Sequence, residues 1–186
     1  MFGERAAIAV LGPTRPDPQR VGRVVDTAMA LGGHLARLGY GLVVLGDGQT
    51  AQAAARGARQ LDGAVMCVAP GFTSSQRLAQ LDVPGVEVDP RSTVLSAIER
   101  VLELADAVMV LPGDLGALAA VLQIWSWGNE PDTPFRQVIL VGPEWPEIVK
   151  HLAEVAGIDQ KTRAMVTFAK EPTEAVEALR YYVAPR

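Results

Sequence analysis

Apolar residues along this chain fall in short dense runs separated by longer amphipathic stretches. The runs are "AAIAVLG" (6–12), "GLVVLG" (41–46), "GAVMCVA" (63–69), "GVEVD" (85–89), "DAVMVLPG" (106–113), "QVILVG" (137–142) and "AMVTFA" (164–169). They lack strict apolar–polar alternation, which predicts strands buried on both faces, as in a parallel sheet. The stretches between them carry helical periodicity. Over 18–40, Val21, Val24, Val25, Ala28, Met29, Leu31, Leu35 and Leu38 form one broad apolar face that ends at Gly39. Further helices are expected over 50–63, 92–105 (with Ser92 or Thr93 as N-cap), 116–128, 144–157 and 171–183.

Strand and helix alternate from end to end. The predicted fold class is therefore α/β: a Rossmann-like, doubly wound, mostly parallel sheet with helices on both faces. The proline-bearing stretches 13–18 and 131–134 read as loops, and no repeat or linker divides the chain. Residues 1–186 are expected to form a single domain.

Composition narrows the classes of function. The chain is 49% hydrophobic and 20% charged, as expected of a globular protein rather than a disordered one. A net charge of −4 without long single-sign runs argues against a nucleic-acid or anionic-membrane partner. No secretory leader and no apolar run long enough to span a bilayer is evident, so a cytoplasmic protein is expected. The lone cysteine, Cys67, sits inside an apolar run and reads as a core residue.

In doubly wound sheets ligands bind at the carboxyl ends of the strands, near the switch in strand order. Four turns are expected there: "GPTRPD" (12–17), "GDGQT" (46–50), "PGFTSSQR" (70–77) and "PGDLGA" (112–117). Glycines let backbone N–H groups approach an anion, and helix N-termini favour negative charge. The candidate ligand- or phosphate-binding residues are Gly12, Thr14, Arg15, Gly46, Asp47, Gly48, Gly113, Asp114, Leu115, Gly116, Ala117 and Arg100. Arg77 and Arg91 are further cations near these turns.

Other chemistries find little support. His34 and His151 fall within predicted helices away from the turns, so neither a metal site nor a His-based triad is expected. "PGDLGA" is not followed by the Lys-Ser/Thr of a nucleotide-binding P-loop, and "GPTRPD" lacks the dinucleotide fingerprint. No cofactor is implied by the residues themselves. Trp125 and Trp127 read as core or dimer interface, with stacking on a base as the alternative.

The combination "GYGLVVLGDGQTAQAAARGA", "GAVMCVAPGF" and "ADAVMVLPGDLGALAAVLQIWSWG" resembles the LOG family, over roughly residues 6–180. Its members, long described as possible lysine decarboxylases, are cytokinin riboside 5′-monophosphate phosphoribohydrolases. Against the family pattern Pro-Gly-Gly-x-Gly-Thr-x-x-Glu, Pro112, Gly113 and Gly116 match. Asp114 replaces the second glycine, Ala117 the threonine and Ala120 the catalytic glutamate. The family arginine falls on Ala97, and the residue after it, usually lysine in active members, is Ile98. The family's earlier triple-glycine turn has become Gly46-Asp47-Gly48.

N-glycosidic cleavage needs a carboxylate or activated water near the sugar and cations on the phosphate. The resemblance therefore implies a LOG-like protein that binds a nucleotide-like or phosphorylated ligand without hydrolase activity, as a homodimer or higher oligomer. Some members of the wider superfamily carry molybdenum cofactor or sense nucleotide ligands, so such roles are open by analogy. Two alternatives stand beside it. One is a divergent hydrolase whose acid has moved to Asp114, Asp47 or Glu99. The other is a structural subunit whose helix "ALAAVLQIWSWG" mediates assembly. Lysine decarboxylation has no candidate lysine, since Lys150, Lys161 and Lys170 all lie away from the turns. For Asp114, the bland reading is a helix N-cap.

Overall fold

The computed structural model describes residues 2–71, 83–128 and 136–183. They form a seven-stranded parallel sheet: β1 Ala7–Leu11, β2 Gly41–Leu45, β3 Val65–Pro70, β4 Glu87–Arg91, β5 Ala107–Val110, β6 Gln137–Val141 and β7 Val166–Ala169. The strand order is β4-β3-β2-β1-β5-β6-β7, and every adjacent pair runs parallel. The chain winds outward from β1 to β4, then returns to the other side of β1 with β5. The switch in strand order lies between β1 and β5, where Ile8 pairs with Ala107 and Val10 with Met109.

The helices are α1 Val21–Arg37, α2 Gln49–Arg59, α3 Val94–Leu104, α4 Leu115–Trp127, α5 Trp145–Ala156, α6 Gln160–Arg163 and α7 Pro172–Leu179. They cover both faces, which explains the unalternating strands. Ile8 and Val10 pack with Leu31 and Leu35 of α1, Ala54 and Ala58 of α2 and Leu179 of α7. Ala9 and Leu11, on the other side of the same strand, join Ala97 of α3, Ala120 and Val121 of α4 and Trp145 of α5. Each large apolar side chain fully removed from water contributes about 1.5–3 kcal/mol.

Helices α1 and α2 lie unusually close. A Cβ on Gly32 would sit 2.0 Å from the carbonyl oxygen of Ala54, and one on Gly57 2.0 Å from that of Met29. No larger residue fits at either position, so the alanine-rich sequence of α2 records a tight helix–helix crossing.

Some boundaries differ from those the sequence predicts. Helix α1 starts at Val21, because Asp17 accepts the Gln19 and Arg20 amides in a preceding turn. Strand β4 is displaced two residues, to 87–91, and includes Pro90; it is an edge strand, where a missing N–H is tolerated. Thr93 caps α3 in a reciprocal capping box with Ser96. The one-turn helix α6 is unexpected, since four residues are too few to show a period; Asp159 caps it through the Thr162 amide. No helix among the described residues is long and apolar enough to cross a membrane.

Candidate functional site

The carboxyl ends of β1, β2, β5 and β6 open onto one rim. The loop after β1 is clamped from both sides. On the β2 side, buried Thr50 donates its hydroxyl to the Pro13 carbonyl at 2.7 Å, and the Gln49 amide donates to the Thr14 carbonyl at 3.2 Å. On the β5 side, Asp114 Oδ2 accepts the Thr14 amide at 2.9 Å. Three glycines permit this closeness. A Cβ on Gly12 would meet Thr50 Cγ2 at 2.5 Å, one on Gly48 would meet Thr14 Cα at 2.6 Å, and one on Gly113 would meet Pro13 Cγ at 2.5 Å.

Asp114 is the N-cap of α4: its Oδ1 accepts the Ala117 amide at 2.8 Å. Both carboxylate oxygens are thus engaged by backbone amides, one in its own helix and one across the switch point. The carboxylate also occupies the place where an anion would meet the start of α4, so this turn is self-capped. Helix α2 differs. Its N-cap is Gly48, which has no side chain to satisfy the leading amides. Gly46, at φ +72°, leaves open space beside its Cα. Asp47 beside it is half-buried, and Thr14 and Arg15 are exposed on the facing loop.

Electrostatics reach below the rim. Cys67 is buried on β3 and donates to the Gly46 carbonyl at 3.3 Å. Burial, with the Asp47 charge adding to it, pushes its thiol up to about 12. It is therefore a neutral thiol at physiological pH and not a nucleophile.

Not every sequence candidate reaches the rim. Arg100, on α3, donates to Asp89 on the edge strand β4 and to Glu103, each at 2.8 Å. Arg91 also donates to Asp89, at 2.7 Å. Both cations are committed to an ion-pair cluster four strands away from β5. Glu99 is exposed on α3. Leu115 and Gly116 are exposed in the first turn of α4, whereas Ala117 is buried. Trp125 is buried and donates its indole N–H to the Thr162 carbonyl at 2.8 Å, which makes it a core residue. Arg77 and most of the turn 70–77 lie outside the described residues. Among the described residues, no group of three or more His, Cys, Asp or Glu is placed to hold a metal ion.

A fifth turn, "GPEW" (142–145), follows β6 and is not among the four turns expected at the rim. It repeats the strand–glycine–helix pattern of the other rim turns, which was the available signal. Here Gly142 adopts φ +140°, and Glu144 pairs with Arg23 of α1.

No protein-family model matches the chain, and no curated protein resembles it in sequence. Its fold does have solved counterparts. The molybdenum cofactor binding protein of the phototrophic bacterium Rippkaea orientalis superposes with a TM-score of 0.72 at 18% identity, covering 96% of this chain and 98% of that one. The molybdenum cofactor carrier protein of Chlamydomonas reinhardtii gives 0.69 at 19% identity, covering 97% and 99%. DNA processing protein A of Helicobacter pylori gives 0.59 at 14% identity, covering 96% and 82%. At these identities the likeness is one of fold.

These matches correct the LOG-family expectation and what came with it. Chains that match end to end include molybdenum cofactor binding and carrier proteins. The LOG-like nucleotide-binding reading and the lysine-decarboxylase-like label are withdrawn with it. The geometry agrees. Ala97 is 0% exposed and Ala120 4%, both inside the apolar layer under the sheet. They are core alanines packed against aliphatic neighbours, not emptied catalytic positions beside a substrate.

Proposed function

We propose that this protein is a carrier of molybdenum cofactor, a phosphorylated pterin that holds its metal through sulfur. The observation that carries the reading is the end-to-end fold likeness to two such proteins, with almost no uncovered length on either side.

The rim chemistry fits a ligand of this kind. A phosphate arm needs amide donors and a cation. The first-turn amides of α2 beyond Gln49, which no side chain caps, and the exposed Arg15 offer both. A donor-rich ring needs acceptors, and carboxylates line the same rim at Asp47 and Asp114. These two acids repel a bare anion, so a ligand carrying both an anionic arm and N–H or O–H donors suits the site better than phosphate alone. When bound, the cofactor supplies molybdenum redox chemistry to a recipient enzyme. The work of this chain is to hold it: Gly48 and Gly12 let the loops close, Thr50 and Asp114 fix the β1 loop between them, and the α2 amides receive the anionic arm. Homo-oligomeric assembly is part of the same proposal.

The test is cofactor uptake. Purified protein incubated with molybdenum cofactor and passed through a desalting column should retain molybdenum and pterin in equal amounts. The metal is read by mass spectrometry and the pterin by fluorescence after oxidation. Protein that emerges free of both overturns the reading.

A further inference from the structure

The outward face of α1 is complementary to itself. Six α1 residues line a groove of about 430 Å³ against α2: Asp26, Met29, Ala30, Gly33, His34 and Arg37. They face away from the core, which α1 meets through Val24, Ala28, Leu31 and Leu35. Asp26 and Arg37 stand eleven residues apart. At about 100° and 1.5 Å per residue they share one face, roughly 17 Å from each other. Both are exposed, and among the described residues neither forms an ion pair. Between them this face carries no acid, lysine or arginine, whereas the water-facing side of a helix is ordinarily charged.

A second α1 laid antiparallel, about a two-fold axis level with Leu31 and Gly32, completes the pattern. Asp26 then opposes Arg37 of the second copy, Met29 opposes its His34, and Ala30 opposes its Gly33. All six groove residues of α1 find a counterpart, and the symmetry makes each pair twice. Opposite charges meet at both ends of the contact, and the smallest side chains meet at its middle.

Gly33 adds a second sign. Glycine in mid-helix is unfavourable relative to alanine. At Gly32 the carbonyl of Ala54 in α2 demands it, but a Cβ on Gly33 would meet only the Gly57 carbonyl oxygen, at 3.5 Å, an ordinary contact. Packing within the chain therefore leaves glycine at 33 unexplained. A helix crossing at Ala30 and Gly33 explains it, because small residues at the crossing let two axes approach closely. Leu61, 45% exposed on the far wall of the groove, gains cover from the same neighbour. Helix α4 also exposes leucines, Leu115 and Leu122, but it holds no charged residue to fix a partner's register.

We propose that this face of α1 is a two-fold homodimer interface, with α1 of a second copy of this chain seated over the groove. The inference gives a surface to the homo-oligomer of the carrier reading, yet it stands on α1 and not on the cofactor.

The experiment is sedimentation velocity over a micromolar dilution series, on wild type, Asp26→Arg, Arg37→Asp and the double swap of both. The two side chains are exposed, and circular dichroism confirms that each variant is folded. Wild type should sediment as a dimer. Each single reversal sets like charges together at both ends, so the dissociation constant should rise about tenfold or more. The double swap restores opposite charges and should return dimerisation to near the wild-type level. A monomeric wild type overturns the interface. Equal dimerisation in all four proteins overturns it in favour of another face, and a double swap as dissociated as the singles overturns the pairing. A monomer that takes up molybdenum cofactor refutes this interface and leaves the carrier reading standing. A dimer with the expected charge dependence that takes up none refutes the carrier reading only.

Discussion

Asp114 ties two turns together: its Oδ2 accepts the amide of Thr14, a hundred residues away, while its Oδ1 caps its own helix through Ala117. One carboxylate thereby starts α4 and fixes the loop after β1 across the switch point. Asp114→Ala removes both bonds. Loss of an N-cap costs about 1–2 kcal/mol, so the melting temperature should fall by several degrees. Asp114→Asn keeps an acceptor oxygen and should retain part of the difference. Thermal unfolding of the two variants, read side by side, checks this. Equal melting temperatures for wild type and Asp114→Ala would remove the cap from the account.

If the protein carries the proposed cofactor, the close approach of Gly48 to Thr14 is the packing feature to test first. A side chain there meets the Thr14 backbone at 2.6 Å, and backbone yields only if a loop moves. Gly48→Val is expected to part the β1 and β2 loops, lowering cofactor uptake tenfold or more while far-ultraviolet circular dichroism stays that of the wild type. Retention of cofactor at the wild-type level would show that the two loops do not form the cradle.

Ala120 tests the corrected reading directly. Glutamate at this position would enter the apolar layer around Val121 and Ile124. Burial of an unpaired carboxylate there should destabilise the fold by more than ~2 kcal/mol. Denaturant unfolding of Ala120→Glu measures it. A variant as stable as wild type would mean that the position opens to solvent.

Cys67 should be silent toward thiol reagents. With its thiol pushed up to about 12, no thiolate forms in the folded protein at pH 8. A colorimetric disulfide reagent should titrate one thiol in denaturant and none without it. The linkage has a definite sign. The unfolded thiol ionises near 9 and the folded one near 12, so the native state loses stability as pH rises from 9 to 12. Cys67→Ala should flatten this part of the pH profile.

Asp89 gives the opposite slope. Burial alone would raise its carboxyl, but hydrogen bonds from Arg91 and Arg100 outweigh it and hold it below the usual range. Its contribution is complete above the unfolded value of about 3.9 and disappears as pH falls through the lower folded value. Asp89→Asn should therefore lower stability at pH 7 and narrow the gap to wild type on acidification. A gap unchanged down to the acid transition would show that the cluster adds nothing.

The rim was partly legible in the chain. Glycines at 12, 48 and 113 marked turns correctly, because a strand that must turn sharply into a helix leaves a local trace. Arg100 was misjudged for the same local reason: it stands three residues beyond a position of interest on a helix, but its partner Asp89 lies on another element. Glu144 went unnoticed, since an isolated glutamate in a loop gains meaning only through Arg23. The LOG resemblance rested on three stretches of strand, turn and helix, and at its matched turn Gly113 is required by the close approach of Pro13 whatever the ligand.

The sequence by itself determined the class of architecture. Runs apolar on both faces, alternating with amphipathic helices, can bury their surfaces only as a parallel sheet between two helical layers. It also determined where turns fall, since glycine at a strand end is a local steric requirement. Only the tertiary structure decided which residues meet. It gave the Asp114 carboxylate to backbone amides of two loops, placed Ala97 and Ala120 in the core, and set Glu144 against Arg23. Contacts between residues a hundred positions apart depend on strand order and register, and no local pattern in the chain encodes those.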